Sequence, residues 1–320
     1  MRHRLRLLFP ALSGLAVLVV LVLVSACSPA VQNSPATEEG SATINVVATI
    51  GMIADVVKTI GGEHVSVTQL MGAGVDPHLY TATQSDVTTL MDAQMIFYSG
   101  LHLEARMADV LEQIGKSKPV IAVGESVPEE RRLVTSDAGT VDPHIWMDVS
   151  LWELVARKIG DELAAFDAAN AAAYQANLEG YVAELQALDQ YARDQIATIP
   201  EEQRVLVTAH DAFHYFSRAY GIEVFAPQGI TTAAEAGVED IRRTVQIIVE
   251  RNIPAIFVES SVPPDIVDAI VAGAEAQGKV VTIGGSLFSD AMGQPGTPEG
   301  TYIGMIRHNV DTIVAALAGN

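Results

Sequence analysis

The chain has 320 residues, 49% of them hydrophobic, with 39 acidic against 19 basic side chains, one cysteine and a formal net charge of −20. A surplus of acid this large excludes nucleic acid as a partner, because a phosphate backbone requires a basic face. A single cysteine excludes an internal disulfide framework, and the length suffices for two modest cores, so two domains are expected.

Arg2, Arg4 and Arg6 precede an apolar run over 7–24 that only Pro10, Ser13 and Gly14 break, the pattern of an export signal. The run ends in Val24-Ser25-Ala26-Cys27, which resembles a bacterial lipobox. Residues 1–26 are therefore read as a lipoprotein signal peptide and Cys27 as the lipidation site, against the alternative of a membrane anchor with an incidental cysteine. Residues 27–43, poor in apolar side chains, suit a flexible tether. Loss of the three signal arginines would take the net charge from −20 to −23. Such a surface is compatible with attracting cations but identifies no site.

Beyond the tether the first half alternates strand and helix. Strands are predicted at 44–49, 65–70, 95–98 and 120–123, with helices at 52–60, 85–91 and 103–114. Short apolar runs separated by helical segments mean a mostly parallel sheet covered on both faces. Residues 128–142 read as a polar connection and 151–165 as a helix.

A long helix is predicted over 167–199, opened by Ala168, Ala169, Ala171, Ala172 and Ala173 and ended by Pro200. Tyr174, Leu178, Tyr181, Leu185, Leu188, Ile196 and Ile199 recur along it at spacings of three and four, with Gly180 the one weak point. Its single apolar stripe fits a strut between two lobes better than a coiled coil, whose repeat would have to continue for longer. The alternation then restarts, with strands at 205–208, 223–225, 255–258 and 280–283 and helices at 212–219, 238–250, 264–274 and 302–317. The expected organisation is an N-terminal lobe over 44–166, the linking helix over 167–199 and a C-terminal lobe over 200–320.

The histidines point to chemistry between these lobes. Asp-Pro-His occurs twice, at Asp76-Pro77-His78 and Asp142-Pro143-His144. Proline holds the residue before it extended and fixes its own φ, so each histidine leaves a stiff loop in a defined direction, as a metal ligand must. His210 follows the strand at 205–208, and Asp290 follows the strand at 280–283 by way of Gly284-Gly285. Ligands of open α/β sheets bind beyond the carboxyl ends of strands. Three imidazoles and one carboxylate, two from each half, suit a first-row divalent ion. Glu259, at another strand end, is a candidate to orient a ligand histidine, with a solvated loop acid as the alternative. His3, His64, His102 and His308 fit ordinary turn and helix positions. His214 could pair with His210 only if both sat within one helix, whereas His210 is expected to precede the first full turn.

These motifs, together with Ile145-Trp146-Met147, Thr208-Ala209-His210-Asp211-Ala212-Phe213, Tyr215-Phe216, Phe257-Val258-Glu259-Ser260-Ser261 and Leu287-Phe288-Ser289-Asp290, carry a family resemblance. Residues 44–318 resemble the bacterial solute-binding protein 9 family, the zinc- and manganese-binding lipoproteins of ABC transporters, and above all its TroA-type members. The resemblance implies an α/β fold of two lobes, each a mostly parallel sheet flanked by helices, joined by one long rigid helix. It further implies Zn2+ or Mn2+ as the transported ligand, held between the lobes by His78, His144, His210 and Asp290. Implied partners are an ABC permease with its ATPase and, through Cys27, the membrane; a monomer on the extracytoplasmic side is expected. Members dedicated to manganese carry glutamate at the place of His210, and members dedicated to zinc carry a His-rich loop that this chain lacks. Zinc leads on the Irving–Williams order, and availability decides which ion is carried.

Metal capture for transport is the leading function. A zinc-dependent hydrolase is the alternative, although no HExxH motif is present and four protein ligands leave no position for water. A surface adhesin on the same fold, and a siderophore- or cobalamin-binding protein of similar architecture, are further readings that no residue favours.

Overall fold

The computed structural model describes residues 43–134 and 139–318. The signal peptide, Cys27 and all of the tether but Thr43 lie outside the described residues. Within the compact unit Ser41–Asn320 the chain folds as predicted in class, α/β with parallel strands and flanking helices. Among the described residues no helix is long and apolar enough to cross a membrane.

The first half builds one parallel sheet from β1 (Ile44–Ala48), β2 (Val65–Gln69), β3 (Met95–Tyr98) and β4 (Val120–Ala122), in the order β2-β1-β3-β4. The central strands read as near-continuous apolar runs because helices cover both faces. Helix α1 (Gly51–Gly61) buries Met52, Ile53, Val56, Val57 and Ile60, and α2 (Gln84–Asp92) starts with a reciprocal capping box between Thr83 and Asp86. The helix predicted over 103–114 is shorter than expected. Only α3 (Ala108–Gly115) is α-helical, after a 3-10 turn at Ala105–Met107. Gly100, Leu101 and His102 all have positive φ, and the buried Glu104 carboxylate folds back on the amides of Ser99 and Gly100 and on the Thr49 hydroxyl. A chain bent left-handed over three residues cannot open an α-helix there.

Helix α4 (Val149–Phe166), capped by Asp148, leads into the long helix α5 (Ala171–Ile196). The long helix begins four residues later than predicted, despite Ala168 and Ala169. Asp167 is the reason: its carboxylate accepts from the Asn170 side chain and the Tyr174 hydroxyl, which stabilises a turn. Its 26 residues span about 39 Å, and the predicted stripe of Tyr174, Leu178, Tyr181, Leu185, Leu188 and Ile196 is buried.

In the second half the strands pair as β5 (Val205–Val207) with β6 (Glu223–Phe225), and β7 (Ala255–Glu259) with β8 (Thr282–Leu287), all parallel. The remaining helices are α6 (His214–Tyr220), α7 (Val238–Glu250), α8 (Asp265–Ala276) and α9 (Tyr302–Leu317). Strand β8 corrects an expectation, because Gly284-Gly285 lies inside it rather than after it. A Cβ on Gly284 would stand 2.7 Å from the Ala316 methyl of α9 and 2.8 Å from the Phe257 ring. Glycine here lets strand and helix approach closely, so it does not end the strand.

Two apolar clusters fill the interior. Alternation along β5 separates them: Val205 and Val207 face a smaller cluster with α7 and α8, while Leu206 faces the main one. The main cluster runs from the first sheet through α1, α4, α5 and α9 into the second half. Trp152 of α4 stacks on Tyr302 of α9, ring centroids 5.2 Å apart, both fully buried. The Tyr302 hydroxyl then donates to the Trp146 carbonyl, and Trp146 Nε1 donates to the Ser289 carbonyl. These contacts bind the His144 loop to the Asp290 loop.

Candidate metal site

Each of the four side chains is delivered by a loop that its own neighbours hold in shape. His78 lies in the loop after β2, where Asp76 Oδ1 accepts from the His78 amide at 2.8 Å. The other Asp76 oxygen accepts the hydroxyl of Thr232, from the second half of the chain, at 2.5 Å. His144 precedes the 3-10 turn Ile145–Met147, and Asp142 Oδ1 accepts both its amide, at 3.0 Å, and its ring Nδ1, at 2.8 Å. The two Asp-Pro-His motifs thus share an aspartate that locks the histidine two residues on, a side-chain turn added to the stiffness of proline. In the second motif the same aspartate also orients the ring.

His210 stands between β5 and α6. Its α6 neighbour begins at His214 and has no side-chain cap, so Asp211 is not a helix cap and His210 precedes the helix. Glu259, at the end of β7, accepts from the amides of Ala209 and His210 at 2.9 and 2.8 Å and from His210 Nδ1 at 2.5 Å. Asp290 follows β8 and is held by a clamp that sequence reasoning missed: Asn309 of α9 accepts from the Phe288 amide and donates to the Phe288 carbonyl. A fully buried asparagine within the apolar stripe of α9 was a readable signal, because a polar group in such a stripe needs a partner. Asp142 was readable too, from the repeated motif itself.

The four side chains converge. His78, His144, His210 and Asp290 each offer a ligand atom within 4.8 Å of all the others. Nε2 of His78 is 3.3 Å from Nε2 of His144 and 3.7 Å from Asp290 Oδ2. Asp290 Oδ1 is 3.2 Å from His144 Nε2, and Oδ2 is 3.3 Å from His210 Nε2. A tetrahedral ion with ligand bonds of about 2.0–2.1 Å has edges of about 3.3–3.4 Å between its ligand atoms. His210 Nε2 and both Asp290 oxygens are buried without a hydrogen-bond partner, so their lone pairs are left for a common centre. His144 and His210 are fully buried, whereas His78 keeps 5% of its surface exposed. Trp146 packs edge-on against His144, and Phe213 packs against Phe216.

The electrostatics of the protein alone are those of a site that holds protons in place of a cation. Burial pulls the His144 ring down, but the Asp142 and Asp290 carboxylates outweigh it and leave the ring at about 9. Burial likewise opposes the His210 ring, and Glu259 with Asp290 hold it well above the ordinary range. His78 is lowered to about 4 by burial, against the attraction of Asp290 and with the repulsion of its two sister rings. Asp290, despite its burial, is held well below the usual carboxylate range by His210 and His144.

Residues 46–316 match the family described as zinc-uptake complex component A, periplasmic. The manganese-binding lipoprotein MntA of Bacillus subtilis is 48% identical over 265 residues, spanning 83% of this chain and 87% of its own. The zinc-binding protein TroA of Treponema pallidum is 49% identical over 267 residues, spanning 83% of this chain and 86% of its own. The solved structure of periplasmic zinc-binding TroA from Treponema pallidum superimposes with a TM-score of 0.85, covering 87% of this chain and 100% of that one.

Proposed function

The chain belongs to the solute-binding protein 9 family of periplasmic zinc-uptake component A proteins, and on that premise we propose that it captures a divalent metal ion outside the cytoplasm and delivers it to an ABC permease. His78, His144, His210 and Asp290 hold the ion, with Glu259 and Asp142 orienting two of the rings. One observation carries this reading: four ligand atoms from both halves of the chain lie within 4.8 Å of one another, and three buried atoms at their meeting point have no hydrogen-bond partner.

The cargo is Zn2+ or Mn2+. Three imidazoles with one carboxylate oxygen complete a tetrahedron for zinc. Both oxygens of Asp290 are unpartnered, so a larger ion that favours more oxygen ligands is offered a fifth donor. With every inner position filled by protein, the site lacks the open place a hydrolytic zinc requires, which favours binding over catalysis. The permease with its ATPase is the functional partner. Lipidation of Cys27 would tether a monomer to the membrane surface through residues 27–43, and lobes over 44–166 and 200–320 would be joined by the segment 167–199, whose helix is Ala171–Ile196. X-ray absorption at the metal edge tests the site: the expected first shell is three imidazoles and one carboxylate, and a shell dominated by water would refute it. Loss of high-affinity zinc or manganese uptake in cells lacking the chain tests the role, and unchanged uptake of both metals would refute it.

A further inference from the structure

His144 and His210 each have a carboxylate on Nδ1, from Asp142 and Glu259. Among the described residues no carboxylate or carbonyl accepts from Nδ1 of His78, whose ring is also the least buried of the three. The direction of His78 is therefore set by its backbone, where Asp76 Oδ1 accepts the His78 amide at 2.8 Å. Asp76 is fixed in turn from the second half of the chain, because its Oδ2 accepts the hydroxyl of the buried Thr232. Thr232 belongs to residues 226–237, an irregular segment between β6 and α7 that Gln228 holds in shape. Gln228 Nε2 donates to the carbonyls of Thr232 and Ala234 at 3.2 and 2.9 Å. The Gln228 amide donates to the Ala209 carbonyl at 3.2 Å, and Gln228 pairs with His210 as a parallel bridge. One run of hydrogen bonds thus leads from His210 through Gln228, Thr232 and Asp76 to the His78 amide.

We propose that Thr232 is a latch: its hydroxyl holds, through Asp76, the His78 loop to the segment paired with His210, and so sets how fast the bound metal leaves. The inference rests on the reading of the four converging residues as metal ligands. A hydroxyl donating to a carboxylate is among the stronger hydrogen bonds, so one side chain suffices to bias the loop. With the latch open, His78 is the ligand free to swing away, since no side chain orients its ring. It has room to do so: a cavity of about 540 Å³ is lined by His78 and by Gly229, Ile230 and Thr231, the three residues before Thr232. Thr232 touches no metal ligand side chain, so it is a positioning residue that acts through His78 alone.

The experiment is stopped-flow binding and release of Zn2+, read with a chromogenic chelator, on the full-length chain and its Thr232→Val and Thr232→Ser variants. Valine keeps the branched shape and removes the hydroxyl, whereas serine keeps the hydroxyl. The expected result for Thr232→Val is release about tenfold faster, with association changed less than about threefold and wild-type release restored in Thr232→Ser. Amide hydrogen exchange on the metal-stripped protein gives a second readout, and Thr232→Val should speed exchange at residues 72–80 and 226–237 while leaving the sheet strands protected. The same substitution in a His78→Ala background should change release less than about twofold, because the latch then has nothing to hold. Wild-type release and exchange in Thr232→Val would overturn the latch while leaving the metal site standing. Equal acceleration with and without His78 would do the same, since Thr232 would then act on the fold at large. Absence of one-to-one binding in the wild type would overturn both.

Discussion

Replacing Glu259 with glutamine alters the site without touching a ligand. The carboxylate accepts two amides, from Ala209 and His210, and the Nδ1 proton of His210, which leaves Nε2 as the nitrogen with a free lone pair. Glutamine has the same shape, and its oxygen can keep the two amides. Its NH2 group then faces Nδ1, so two donors meet, and the neutral ring is driven to the tautomer with its proton on Nε2. Binding metal would require the amide to flip and abandon two backbone donors, at about 1 kcal/mol each. The ring would also lose the carboxylate that strengthens it as a ligand, an effect typically of about 10- to 100-fold in metal affinity. Both estimates agree on about 1.4–2.7 kcal/mol. Competition titration of Glu259→Gln against a chelator should therefore show binding weakened about 30-fold for zinc, with one-to-one stoichiometry kept. A loss below threefold would refute the orienting role.

Three other perturbations follow from the geometry. Because His144, at about 9, and His210, raised well above its ordinary value, are protonated in the free site, an entering dication should displace close to two protons at pH 6–7. Acid favours the free form, so apparent affinity should rise with pH by up to about 2.7 kcal/mol per unit; calorimetry in buffers of different ionisation enthalpy checks this, and zero proton release would contradict it. In the metal-free protein the stability contributed by His144 should be full below its unfolded value near 6.5 and lost as pH climbs through about 9. Thermal scans across that window should show a falling midpoint, and a rising one would contradict the assignment. Gly284→Ala would press a methyl group against Ala316 and Phe257 and should cost about 1–3 kcal/mol in urea unfolding, whereas a wild-type midpoint would mean that α9 can move away from β8.

Much of this architecture could be read from residue patterns, and what could not has definite causes. Strand β3 and helices α7 and α9 fall within the residues that apolar periodicity marks, because each is a simple amphipathic or buried run. Side-chain hydrogen bonds misled where they overrode propensity. Asp167 turns a run of alanines out of the long helix, and Glu104 with three left-handed residues shortens α3. Gly284 reads as punctuation in a sequence but is a packing contact with a helix distant along the chain. The four converging residues were legible from the repeated Asp-Pro-His and the two strand ends. Their supports were legible only in part. Glu259 advertised itself by its strand end and Asn309 by standing polar in the apolar stripe of α9, although neither pattern names its partner, whereas Thr232 reaches the site from an irregular loop, which no local pattern reports.

The most direct test of metal capture is a count of ions per chain. The full-length protein, stripped and then titrated with Zn2+ and Mn2+ against a chelator at neutral pH, should bind one ion tightly. Asp290→Ala should abolish that tight binding, because it removes the carboxylate at the meeting point and leaves His144 and His210 facing each other. Binding of neither metal above the strength of a surface histidine pair, or a variant that binds as tightly as the wild type, would contradict the account.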